Sequence, residues 1–148
     1  MKYSKYPRIY LNKELKIGDV IEISGSDSHY ITKVLRLKKG YYLRIFNEKF
    51  GQYLAQIESC GDSTFVKIIS SEVGAISTGK KLSLFMSLIK PEKFELAVDM
   101  SCQLGVTDII PIITERVQQK ELKRQRIEKI IMDSVRQCER LDVPVLHE

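Results

Sequence analysis

The chain has 148 residues, a formal net charge of +5 and a mean hydropathy of −0.17, enough for one domain or two small ones with a real core. No apolar run approaches the roughly 20 residues that cross a bilayer, which excludes a spanning helix. Three widely spaced cysteines (Cys60, Cys102, Cys138) and two histidines leave no spacing for a metal site or a disulfide framework, and imply a reducing compartment, the cytoplasm.

The first residues, MKYSKYPRIY, lack the apolar core and small-residue cleavage site of a signal peptide. Pro7–Leu11 reads as a short strand, and Asp19–Ser24 as a second, alternating one. The period then changes. In SDSHYITKVLRL, Ser26 or Asp27 can cap a helix whose face is Ile31, Val34 and Leu35, and Lys38-Lys39-Gly40 ends it with cations and a glycine. Strands follow at Tyr41–Phe46, Gln52–Cys60 and Thr64–Ser70, with turns at Asn47–Gly51 and Gly61-Asp62. Short strands at this spacing, with one inserted helix, predict a small antiparallel β-barrel over residues 1–72.

Residues 73–81 are small and polar and read as a linker. Gly74 to Lys80 fits the first seven positions of the phosphate-binding pattern GxxxxGK[ST]. Lys81 replaces the hydroxyl that would hold Mg²⁺, and a strand follows where that motif needs a helix. From residue 82 the pattern is β/α. Leu82–Ile89 is a buried-type strand, and Pro91 opens a helix lined by Phe94, Ala97, Val98, Ser101 and Leu104. Gly105 stops it, and Val106–Ile113 is a second apolar strand. A last helix runs from Lys123 to Arg140 with Ile127, Ile130, Ile131, Ser134, Val135 and Cys138 inward. Two parallel strands are too few for a covered sheet, so residues 82–148 read as the start of a larger α/β domain.

Charge is unevenly placed. Residues 1–40 carry nine Lys/Arg against four Asp/Glu, residues 41–80 four against four, and residues 81–148 eleven against eleven. The whole excess lies in the first lobe, which points either to a polyanion partner there or to a solvated surface that favours solubility.

The segments PRIYL, HYITKVLRLKKG with YYLRIFN, SLIKPEKFELAVDMSCQLGVTDIIPIITER and RQCERLDVPVLHE, in this order, resemble the ribosomal RNA small subunit methyltransferase E family, the 16S rRNA (uracil-N3) methyltransferases. The resemblance implies an α+β and α/β chain: a PUA-like RNA-binding β-barrel, then the first β-α-β-α part of a knotted, SPOUT-type methyltransferase domain. It also implies S-adenosylmethionine as methyl donor, 16S rRNA of the small ribosomal subunit as partner, and a homodimer. No glycine-rich GPEGG-like segment of the donor-binding knot occurs, so the chain reads as the N-terminal part of a longer enzyme, inactive alone. Gln103 and Met100 stand where the family usually has Glu and Lys. A stand-alone RNA-binding module is the alternative.

N3 methylation of uracil requires loss of the N3 proton and stabilisation of the resulting charge, a task suited to arginine. The resemblance carries this over to Arg116, Gln137 and Arg140, with Lys90 as a further substrate contact. Arg116 follows the second α/β strand, on the side where open α/β sheets gather ligands; otherwise it belongs to a solvated run with Lys120, Lys123 and Arg124. Arg8, Lys33, Arg36, Lys38 and Lys39 are expected to form the RNA-binding surface. Tyr41, Tyr42 and Tyr53 could stack on bases or fill a core. His29 reads as a packing or RNA contact, and His147 as an unstructured tail.

Overall fold

The computed structural model describes residues 6–74, 81–117 and 121–148, and the chain divides into two compact units, residues 1–76 and 77–148. Most of the linker expected over residues 73–81 lies outside the described residues, as does Lys120. No described helix is long and apolar enough to cross a membrane.

In the first unit the strands are β1 (Arg8–Tyr10), β2 (Val20–Ile23), β3 (Tyr42–Asn47), β4 (Gly51–Cys60) and β5 (Thr64–Val73), in sheet order β1-β3-β4-β5-β2. Three of the four pairings are antiparallel, as expected. β1 instead lies parallel to β3, with Arg8 opposite Arg44. The period-2 pattern explains the layering: Ile21 and Ile23 of β2 and Val66 and Ile68 of β5 point into the core, while Glu22, Phe65 and Lys67 point out. Register shifts along β4 are the irregularities that bend a sheet around its core, here Ile9, Leu43, Ile45, Ala55 and Ile57. The β3–β4 turn is held by buried Asn47. Its Oδ1 accepts from the Lys49 and Phe50 amides, and its Nδ2 donates to Leu11 and Lys13 carbonyls at 2.8 and 3.0 Å.

The inserted helix departs from its α-period. α1 (Gly25–His29) passes directly into a π-turn, Tyr30–Val34, with Leu35 N–H bonded to the Tyr30 carbonyl at 2.9 Å. The wider ring keeps Ile31 buried but turns Val34 outward, 60% exposed. Val34 is therefore not on the core face, and the helix stops before Lys38-Lys39-Gly40. Gly40, at φ +87°, starts β3 by donating to the Ile57 carbonyl.

The second unit is β6 (Ser83–Ser87), α2 (Pro91–Gln103), β7 (Asp108–Ile112), α3 (Arg124–Gln137) and β8 (Val145–Leu146). The sheet order β6-β7-β8 is parallel throughout. The apolar pattern predicts two strands; β8, two residues long, is the third. Parallel crossovers are right-handed as a rule, and two of them in one direction put both helices on one face. Leu84, Ile109 and Leu146 share that face in register, and Ile109 and Leu146 are buried against it with Phe94, Val98, Ile127, Ile131 and Val135. The opposite face carries Phe85 and Val145. Phe85 is 66% and Val145 55% exposed, so β6 is not the fully buried strand its apolar run suggests. On α2 the inward position expected for Leu104 is taken by Cys102, because the helix ends at Gln103 and Leu104 is its exposed cap. Gly105, at φ +94°, makes the expected stop.

Candidate functional site

The carboxyl ends of β6 and β7 open into a cleft of about 550 Å³, lined among others by Ser87, Ile89, Lys90, Pro91, Thr114 and Arg116. Its walls follow from the local sequence. β6 ends at Ser87, whose hydroxyl pairs with that of Thr114 at 2.9 Å, tying the loops after the two strands together. Pro91 then starts α2 at once, with the Lys93 and Phe94 amides closing on the Lys90 carbonyl, so Lys90 stands at the helix start. A turn closed by the Val117 amide on the Thr114 carbonyl at 3.1 Å presents Arg116. Among the described residues no carboxylate lines the cleft. Neither Lys90 nor Arg116 forms an ion pair or side-chain hydrogen bond with another described residue. The cleft is a cationic pocket of the size that ligand sites occupy.

Arg140 and Gln137 lie elsewhere. Arg140 donates from Nη1 to the Cys102 and Val106 carbonyls at 2.7 and 2.9 Å, and from Nε and Nη2 to the Asp142 carboxylate at 3.2 and 2.5 Å. It therefore joins the end of α3 to the α2–β7 turn. Burial would raise the Asp142 carboxyl, but the Arg140 hydrogen bonds and charge hold it below the usual carboxylate range. Gln137, the last residue of α3, is exposed beside it. α2 starts at the cleft and ends at Cys102 and Gln103, and its 13 residues rise about 1.5 Å each. The Arg140 cluster is thus roughly 20 Å from the cleft by helix length. The structure brings Arg116 and Lys90 together and separates both from Gln137 and Arg140.

In the first unit Lys33, Arg36, Lys38 and Lys39 are all exposed, on the π-turn and the segment after it. Arg8 is not with them. It is 5% exposed, lies over the Phe46 ring at 4.0 Å and donates to Gln52 Oε1 at 2.7 Å. Gln52 in turn donates to Glu72, which pairs with Arg44 at 2.7 Å. The cover over that face explains the correction: Arg8 lies on the face of edge strand β1 opposite Ile9, and Phe46 of β3 and Gln52 of β4 close over it. Tyr41 is 55% exposed, whereas Tyr53 packs partly against the core and Tyr42 is half-buried against Tyr6, ring centroids 5.7 Å apart. His29 is exposed. His147 is ordered, contrary to expectation: its amide donates to the Ile109 carbonyl and its Nε2 meets Asp108 Oδ1 at 2.8 Å. The Asp108 carboxyl is lowered by that contact and by the Thr107 hydroxyl. Cys102 is buried, and burial pushes its thiol up to about 11. Among the described residues no His/Cys/Asp/Glu group suits a metal ion.

Sequence reading missed three contacts. Arg124 donates to the Leu146 and His147 carbonyls and pairs with Glu128, so it clamps the chain leaving β8. Arg126 pairs with Glu95, joining α3 to α2. Asp142 is the third, and the i, i+2 spacing of Arg140 and Asp142 was its only sequence signal.

Residues 77–148 match the RNA methyltransferase domain family, and residues 23–69 the RNA methyltransferase PUA domain family. The chain is 36% identical over 145 residues to ribosomal RNA small subunit methyltransferase E of Rickettsia conorii, covering 97% of this chain and 59% of that protein. It is 32% identical to the protein of the same name from Buchnera aphidicola subsp. Schizaphis graminum, over 95% of this chain and 60% of that protein. Among solved structures, a putative Legionella pneumophila methyltransferase, in complex with bound S-adenosylmethionine, aligns with a TM-score of 0.86 and 30% identity over 97% of this chain and 62% of its own. The Neisseria gonorrhoeae ribosomal RNA small subunit methyltransferase E, bound to S-adenosylmethionine, aligns with a TM-score of 0.85 and 21% identity over 96% of this chain and 61% of its own. The chain thus spans about three fifths of the length of the relatives it matches.

Proposed function

Since the chain belongs to the ribosomal RNA small subunit methyltransferase E family, with a PUA-type unit and the first part of a SPOUT-type methyltransferase unit, we propose that it acts in S-adenosylmethionine-dependent methylation of a uridine N3 in 16S rRNA. In this reading residues 1–72 bind the RNA and residues 82–148 supply the substrate side of the reaction, in the cytoplasm. The observation that carries it is the cationic cleft at the carboxyl ends of β6 and β7, where α/β sheets of this kind take ligands. The target uridine enters there, and Arg116 offsets the charge that spreads over the uracil oxygens as N3 loses its proton.

The methyl donor does not fit the cleft as a whole. Its sulfonium would face Lys90 and Arg116, two cations with no ion pair among the described residues, and the described lining has no carboxylate to bind ribose hydroxyls. S-adenosylmethionine is expected to bind the 148 residues weakly. That mismatch favours a second reading for this chain by itself, RNA binding without methyl transfer. Methyl transfer to 16S rRNA by the purified chain would exclude the second reading. The exposed sheet face at Phe85 and Val145 supports self-association, in line with a homodimer.

The RNA-binding part is tested by salt dependence. Each phosphate contact contributes about 0.7 to the slope of log K against log salt for single strands. Replacing Lys38 and Lys39 by Ala should flatten that slope by about one to one and a half units. The same change at Lys123 and Arg124 should do less, because Arg124 already holds the β8 exit. Equal losses from the two double variants would remove the first unit as the main RNA surface.

A further inference from the structure

Resting on that reading of the cleft, we infer that it recognises a phosphorylated nucleotide rather than a base alone, with Lys90 holding the phosphodiester next to the target uridine. Three observations lead there. Lys90 and Arg116 line one cleft with no carboxylate among the described lining residues, and neither has an ion pair among the described residues. Two like charges facing one space are relieved by an anion between them. The cleft, at about 550 Å³, has room for a sugar and phosphate as well as a base.

The two cations also differ in kind. Lys90 is a point charge on a flexible stem, placed where α2 begins with Pro91, and the helix start favours a negative group beside it. Arg116 is a planar, permanently charged group on the turn after β7, suited to one uracil oxygen beside N3 with N3 itself left open. The hydroxyls of Ser87 and Thr114 lie between the two loops and add neutral donors. The division of labour is therefore phosphate to Lys90 and base to Arg116. An RNA strand lying across the cleft would present both at one nucleotide.

The test uses the full chain and amide chemical shifts at residues 88–93 and 114–117, titrated separately with uridine, uridine 3′-monophosphate, inorganic phosphate and S-adenosylmethionine. The nucleotide should bind about tenfold tighter than uridine at low salt, with the difference shrinking as salt rises. Inorganic phosphate should compete with it. Lys90→Gln should abolish the preference for the nucleotide and leave uridine binding unchanged, whereas Arg116→Gln should weaken both ligands. Equal affinity for uridine and the nucleotide overturns the phosphate assignment and leaves the cleft reading intact. Absence of binding by either overturns the cleft reading too. Competition by S-adenosylmethionine through its carboxylate, with Lys90→Gln reducing that binding, would make the donor the source of the anion and overturn the phosphodiester assignment.

Discussion

Replacing Arg140 by Met separates a structural arginine from one that touches substrate. The guanidinium donates to the Cys102 and Val106 carbonyls and to Asp142, and its side chain is only 12% exposed. Hydrogen bonds from a charged group contribute about 1.5–3 kcal/mol each. Water can reach the partly open Asp142, which lowers the total, so we expect a loss of about 3 kcal/mol for the variant. A domain of this size holds about 0.05–0.15 kcal/mol per residue, so the second unit loses roughly a quarter to four fifths of its stability. At about 4–8 °C per kcal/mol the melting temperature falls by roughly 12–24 °C. Urea unfolding in the cold, followed by circular dichroism and by amide exchange at the end of α2, reads the effect. Arg116→Gln is the control: an exposed side chain with no partner among the described residues, it should cost less than about 0.5 kcal/mol while nucleotide binding falls. If Arg140→Met costs under about 1 kcal/mol and abolishes nucleotide binding, the assignment of the two arginines is reversed.

Other outcomes follow from the same contacts. Asp142 has a lowered pKa in the folded chain, so its contribution is present above the unfolded value near 4 and is lost as pH falls through the folded one. Asp142→Asn should therefore narrow the difference between urea midpoints at pH 7 and pH 3, and an unchanged difference refutes the pairing. At pH 8 an aromatic disulfide reagent should label exposed Cys60 rapidly and Cys102 only on unfolding; fast labelling of Cys102 contradicts its burial. Light scattering should find a dimer or larger species, and Phe85→Lys should shift it toward monomer without loss of helix signal. A monomeric parent chain would show that the exposed face does not drive association.

The fold was legible wherever a period ran long enough. β2 and β5 alternate cleanly, Pro91 and Gly105 bracket α2, and α3 repeats its apolar residues over four turns. Val34 was misplaced because a π-turn changes the period without any residue that announces it. β8 was missed because two residues carry no pattern, and its position depends on Arg124, twenty-odd residues upstream in the chain. At the site, the positions of Arg116 and Lys90 after the two parallel strands were legible in the order of elements, while their roles rest on the resemblance. The contacts of Arg140 and Arg8 were not legible, since a guanidinium that binds carbonyls or stacks on Phe46 has the same letter as one that binds phosphate.

The parallel pairing of β1 with β3 has a kinetic consequence. β4 and β5 meet across the Gly61-Asp62 turn, and β3 and β4 across the Asn47 turn, so these hairpins can close early, on local contacts. β1 is made first during synthesis but has no partner until β3 exists, and β2 must wait longer still for β5. At translation rates of about 5–20 residues per second, the N-terminal strand stays unpaired for seconds. Its docking, with Arg8 sliding over Phe46, then comes late. Substitutions at Ile9 should speed unfolding and leave the folding rate nearly unchanged, while those at Ala55 or Val66 should slow folding.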